Sequence, residues 1–178
     1  MSIHNASAPF SRVKIRAAAL VFCGDDVALI RRDRPNASHY TPVGGNVEPA
    51  EDILDALGRE LSEELHLNVA HATEPELCWI QDQRVSRPGP TPPPRKLHLV
   101  FRCFVTPGVR ATLATVEHDE QPDGTSETGI IEWVSYRKLA GLPLFPLIGE
   151  AVAALPSSDA PAGNPYLPAI TDQNYTWV

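Results

Sequence analysis

Residues 44–67 read GGNVEPAEDILDALGRELSEELHL, and this stretch constrains the fold more than any other. It carries a long helical pattern in the middle of the chain, expected from about residue 49 to about residue 65. Proline is tolerated in a first turn, and Glu51 and Asp52 suit the positive end of the helix dipole. With Ile53 at zero and about 100° per residue, Leu54, Leu57, Leu61 and Leu65 cover an arc from roughly 40° to 120°. A stripe of that kind has to be buried against another element. Glu60, Glu63 and Glu64 fall between roughly 280° and 20°, beside the stripe rather than opposite it. Their spacing makes them neighbours on the helix, where like charges repel by a few tenths of a kcal/mol per pair. Carboxylates partly shielded from water need a partner. Hard oxygen donors grouped in this way suit Mg²⁺ or Mn²⁺, ions that keep some of their water and bridge to substrate phosphates.

The flanks read mostly as strands. Residues 13–22 and 27–31 are strand-like and joined by a turn at Gly24-Asp25-Asp26. Residues 40–43 form a short strand leading into Gly44-Gly45, and 77–81 and 130–134 are further strands. In residues 97–105, Leu97, Leu99, Phe101, Cys103 and Val105 alternate onto one face. Residues 145–155 have helical spacing. Strands, a central helix, more strands and a terminal helix predict an α/β fold with helices on the faces of a mixed sheet. Residues 1–12 read as an N-terminal arm, 13–155 as one domain and 156–178 as a C-terminal tail rich in Pro, Ser, Ala and Asp. The last five residues, NYTWV, suit docking on a sheet edge or a second subunit, so a homodimer is an expectation. The run RPGPTPPPRK reads as a surface connection.

A length of 178 residues fits one domain with a real core, and the formal charge of −7 argues against nucleic acid or an anionic membrane as the main partner. Small phosphorylated ligands are not excluded, because a bound divalent cation reverses the local field. Cys23, Cys78 and Cys103 lack CxxC or zinc-ligand spacing and read as buried free thiols. The apolar run 17–23 is short for a secretory core and ends in a turn, and no run approaches a membrane span. The expected location is the cytoplasm.

The wider spacing is the specific signal. Gly45, five residues, Glu51, seven residues, then Arg59-Glu60-Leu61-x-Glu63-Glu64-x-His66-Leu67 resembles the Nudix box of the Nudix hydrolases, G-x5-E-x7-R-E-U-x-E-E-x-G-U with U aliphatic. Six of the seven fixed residues match, a coincidence expected about once per million windows at ordinary residue frequencies. The departure is His66 in the glycine position; near a helix end that position favours a positive φ, which histidine can adopt at a cost of about 1–2 kcal/mol.

The resemblance implies a Nudix-type α/β/α sandwich that hydrolyses a nucleoside diphosphate linked to another moiety. Carried over by position, Glu60, Glu63 and Glu64 would bind divalent cations with help from the carbonyl of Gly45. Arg59 and Glu51 would form an ion pair that orients those carboxylates. Glu63 or Glu64 could accept the proton of the attacking water. Some members of the family place that base on a later loop, where Glu120 and Glu127 lie, Glu127 being preferred for its position shortly before the strand at Trp133. Arg31 and Arg32, with Arg34, leave the second strand where a phosphate clamp would sit. Tyr40, Trp79 and Phe101 are candidates for stacking on a base, with core packing an equal explanation. A nucleoside triphosphate, a nucleotide sugar or a dinucleotide would each fit as the small-molecule substrate. The competing reading is a nucleotide-binding module of the same fold without turnover.

Overall fold

The computed structural model describes residues 12–87, 89–120 and 124–175, with the side chain of Glu120 left out. Part of the proline-rich connection and the last three residues of NYTWV therefore lie outside the described residues. Two long strands open the chain, β1 (Val13–Cys23) and β2 (Asp26–Arg34), turning at Gly24 with φ of 60°. They pair antiparallel only near the turn, from Val21↔Ala28 to Cys23↔Asp26. Beyond that they diverge. The expected single strand at 40–43 is two: β3 (Ala37–Thr41) stays on β2, while β4 (Val43–Asn46) inserts beside β1.

Gly44 makes that insertion possible. Its φ is 149°, and a Cβ there would collide with the backbone of Ala17 and Ala18 on β1. The remaining strands are β5 (Glu76–Arg84), β6 (Arg95–Phe104), β7 (Val116–Glu120), β8 (Ser126–Ser135) and the short β9 (Ile170–Thr171). They join one mixed sheet in the order β7-β8-β2-β1-β6-β5-β9, with β1 and β6 parallel and most neighbours antiparallel.

Each face of the sheet is covered. Helix α1 (Ile53–Leu65) buries Leu57, Leu61 and Leu65 against Ala17, Ala19, Val21, Leu99 and Phe101. The burial of each leucine contributes about 1.5–3 kcal/mol. On the other face Leu20, Phe22, Leu29, Trp79 and Val100 meet Tyr136, Leu139, Ile148 and Val152 from the segment after β8. That segment holds a 3₁₀ turn, Tyr136–Gly141, and the short helix α3 (Gly149–Ala153); α2 (Pro107–Arg110) is a single turn after β6. Helices on both faces of a mixed sheet make the α/β/α sandwich that the sequence implied.

Three expectations shift. Helix α1 starts at Ile53 rather than near residue 49, because Asp52 caps it by accepting from Leu54 N at 2.9 Å. Leu54 is 51% exposed instead of buried, and Ala56 is fully buried in its place. The terminal helix shrinks from 145–155 to Gly149–Ala153, because Phe145 N is bound to Tyr40 O of β3 at 2.8 Å.

The described residues after 155 are anchored at several points. Buried Arg102 donates to Ser158 O and Ala160 O, Ile80 N binds Pro165 O, and β9 pairs parallel with β5. Among the described residues, no helix is long and apolar enough to cross a membrane.

Candidate active site

Residues 44–51 and α1 form one unit, and Arg59 is its staple. Its Nε and Nη2 donate to Glu51 Oε1 and Oε2 at 2.8 and 3.0 Å, a fork-on-fork pair. The same guanidinium donates to Asn46 O at 3.1 Å, to Glu60 Oε1 at 2.8 Å and to Glu63 Oε2 at 3.3 Å. Glu51 also accepts from Glu48 N at 3.1 Å. The loop is thus tied to the helix at both ends, and two of the three clustered carboxylates are held by one cation. At its far end α1 closes on His66, whose φ of 57° and ψ of 28° are left-handed, with His66 N bonded back to Ser62 O and Leu67 N to Leu61 O. Histidine thus takes the turn where the family pattern has glycine.

The three carboxylates differ in environment. Glu63 is 61% exposed and Glu60 13%. Glu60 lies against Gly45, where a Cβ would overlap its carboxyl group, so only glycine lets the loop backbone come this close. Glu64 points inward and accepts from Gly44 N at 2.8 Å. Burial pushes its carboxyl up to about 8, against the pull of the Gly44 N–H, with Glu60 and Glu117 adding like charge.

Among the described residues, no three acidic, imidazole or thiol groups already converge as a metal cage. The donor set nonetheless suits a hard divalent ion. A buried carboxyl that resists ionisation, beside a second carboxylate and a loop carbonyl at a glycine, is where a cation would offset the repulsion.

The other sequence candidates fall on both sides of this unit. Arg32 pairs with Glu117 at 2.9 Å, and both are largely buried. Arg31 pairs with Glu132 at 2.9 Å and with Asp33 at 3.2 Å. Both arginines expected at a phosphate thus already face carboxylates. Glu127 on β8 pairs with Arg34 at 3.1 Å. Trp79 and Phe101 are core residues, whereas half-buried Tyr40 donates to Glu132 at 3.4 Å.

Two residues close to Glu64 have no counterpart among the sequence candidates. Glu117 on β7 is 3% exposed at its side chain, its carboxyl raised by burial. It packs where Gly129 leaves room, since a Cβ there would meet Glu117 Oε2 at 2.6 Å. Arg16 on β1 donates to Gly44 O at 3.1 Å, and its charge acts on both Glu64 and Glu60. An acid in an acidic stretch and a lone arginine in a strand carry no local signal. Only the pairing of distant strands reveals them.

With this geometry established, comparison with known proteins decides the family. The family model for the NUDIX domain matches residues 13–155. The chain belongs to the NUDIX family. It is an enzyme of the Nudix pyrophosphohydrolase type. The MutT protein of Bacillus halodurans is similar in fold, with 19% identity, a TM-score of 0.56, and 89% of this chain and 88% of that one covered. The MutT protein of Methanosarcina mazei Go1 gives 20% identity and a TM-score of 0.54 over 78% of this chain and 89% of that one. A C. elegans Ap4A hydrolase gives 16% and 0.50 over 78% and 92%. No curated protein sequence matches. At these identities the solved structures speak to the fold, and the NUDIX model speaks to the family.

Proposed function

We propose that this NUDIX protein hydrolyses a diphosphate linkage in a nucleoside diphosphate derivative (a nucleoside triphosphate, a nucleotide sugar or a dinucleotide) by attack of water on phosphorus. The observation that carries this reading is Glu60 and Glu64 packed against Gly44-Gly45 on a loop that the Arg59–Glu51 fork ties to α1. Glu60, Glu63, Glu64 and the carbonyl of Gly45 would hold Mg²⁺ or Mn²⁺. Bound there, the ion would neutralise the diphosphate and lower the pKa of a coordinated water.

The chain's own groups do the rest. Arg59 and Glu51 are positioning residues: they fix the loop relative to the helix and hold Glu60 and Glu63 in place. A carboxylate then takes the proton of the attacking water. Glu63 and Glu64 from α1 are the first candidates. Buried Glu117, whose charge acts on Glu64, joins Glu127 as a candidate from the later strands.

Turnover of a panel of nucleotides with Mg²⁺, with the released phosphate species identified, tests the reading. Mono- and diphosphate products from at least one class are expected. Glu63→Gln and Glu127→Gln variants separate the bases. The reading of α1 as the catalytic element is lost if Glu63→Gln, Glu64→Gln and Glu60→Gln each retain full activity.

A further inference from the structure

Gly44 is buried, and its backbone groups need partners. Strand β4 pairs with β1 alone among the described strands. Val47 N bonds Ile15 O, and antiparallel ladders alternate, so the N–H and C=O of Gly44, opposite Ala18, turn away from β1. Two side chains take the place of a strand there. Glu64 Oε2 accepts from Gly44 N at 2.8 Å, and Arg16 Nη2 donates to Gly44 O at 3.1 Å.

The two side chains come from opposite faces of the sheet. Glu64 belongs to α1, whereas alternation along β1 sends Arg16 to the other face, because Ala17 and Ala19 pack toward α1. Neither Gly44 nor Gly45 has a side chain to keep them apart. The charges of Glu64 and Glu60 accordingly act on Arg16, with Asp119 adding to them and Arg32 opposing. Burial is the largest cost to this guanidinium, and the carboxylates offset part of it. Further along the loop, Arg59 donates to Asn46 O at 3.1 Å. Gly45 therefore lies between two clamped carbonyls, Gly44 O under Arg16 and Asn46 O under Arg59.

We propose that Arg16 is a further positioning residue of the active site: by holding Gly44 O it fixes the Gly44–Gly45 peptide, and through Gly44 N it sets the Glu64 carboxyl for the cation. This rests on the function proposed above, which takes Glu60, Glu64 and the carbonyl of Gly45 as cation ligands. The role is indirect, since Arg16 acts through the peptide. Supports of this kind behind the ligands govern metal affinity by about 10- to 100-fold. Charge and positioning predict opposite signs, which makes the role separable. On charge alone, deleting a cation beside the site tightens the binding of a divalent ion. Losing the clamp on the peptide weakens it.

The test uses the full chain with Arg16→Met and Arg16→Lys. Calorimetric titration with Mn²⁺, without nucleotide, should show affinity about tenfold weaker in Arg16→Met. Arg16→Lys keeps a charged donor on a long stem and should stay within about threefold of the native chain. Amide hydrogen exchange at Gly44 should quicken about tenfold in Arg16→Met, while amides in β5 and β6 exchange as in the native chain. A general loss of stability would speed exchange in all three strands instead. If Arg16→Met does not fold, Arg16→Gln, which is shorter and uncharged, takes its place in both measurements.

Unchanged or tighter Mn²⁺ binding in Arg16→Met overturns the proposal, since Arg16 would then act as a charge only. So does native exchange at Gly44, or exchange quickened alike across β4, β5 and β6. A native chain that binds no Mn²⁺ defeats the cation reading instead, while exchange at Gly44 still decides whether Arg16 holds the loop.

Discussion

Gly44 and Gly45 are adjacent in sequence and serve different ends. A Cβ at Gly45 meets the carboxyl end of the Glu60 side chain, whereas a Cβ at Gly44 meets backbone, at a φ of 149°. Gly45→Ala is therefore expected to keep the fold within about 1 kcal/mol, because a carboxylate can swing away. The displaced carboxylate should weaken cation binding about 10- to 100-fold, as loss of a supporting contact does at a metal site. Gly44→Ala has no such escape and should cost about 2 kcal/mol or more in stability. Urea unfolding and Mg²⁺ titration of turnover, run on both variants, separate the two. Equal effects on stability would show that the two glycines share one role.

Helix α1 shows what periodicity can reveal. Its stripe of Leu57, Leu61 and Leu65 and the neighbouring carboxylates were legible because every residue involved lies within a few turns of the others. Its start was not, since Glu51 is engaged by Glu48 N and Arg59 and leaves Asp52 as the cap. The C-terminal segment was illegible for a related reason. Its composition is that of a tail, yet it is held through backbone contacts such as Ile80 N to Pro165 O, and by Gln81 donating to Pro168 O. Composition does not register bonds that any sequence can make. Glu117 escaped notice because its burial depends on Arg32 of β2, a strand far away in sequence. At the end of α1, His66 sits at φ 57°. Replacing it with glycine removes about 1–2 kcal/mol of backbone strain and restores less than that in unfolded-chain entropy. His66→Gly is expected to raise stability by about 0.5–1 kcal/mol without changing kcat. A destabilised variant would mean that the imidazole makes contacts worth more than the strain.

At the scale of the whole molecule, the polar end of the sheet couples stability to pH. Burial, with Arg16 and Lys96 behind it, presses His98 down to about 3, while an unfolded histidine titrates near 6.5. With the folded value depressed, the stabilisation from neutral His98 is complete above about pH 6.5. It is lost as pH falls toward 3, because the unfolded chain takes up a proton that the folded one refuses. Between pH 6.5 and 5 this loss amounts to about 2 kcal/mol. The difference in unfolding free energy between the native chain and His98→Gln should shrink or grow by that amount over the interval, with the native chain showing the steeper acid loss. Parallel curves would place the His98 proton elsewhere. One sheet face, the split between β1 and β2 and the stapled loop converge on α1, whose carboxylates we propose hold the cation for diphosphate hydrolysis. The most direct test is turnover against Mg²⁺ concentration for the native chain and Glu64→Gln, with folding checked by thermal midpoint. Activity should vanish with chelator, return with Mg²⁺ or Mn²⁺, and fall at least about a hundredfold in the folded variant; metal-independent turnover, or a variant as active as the native chain, would contradict the claim.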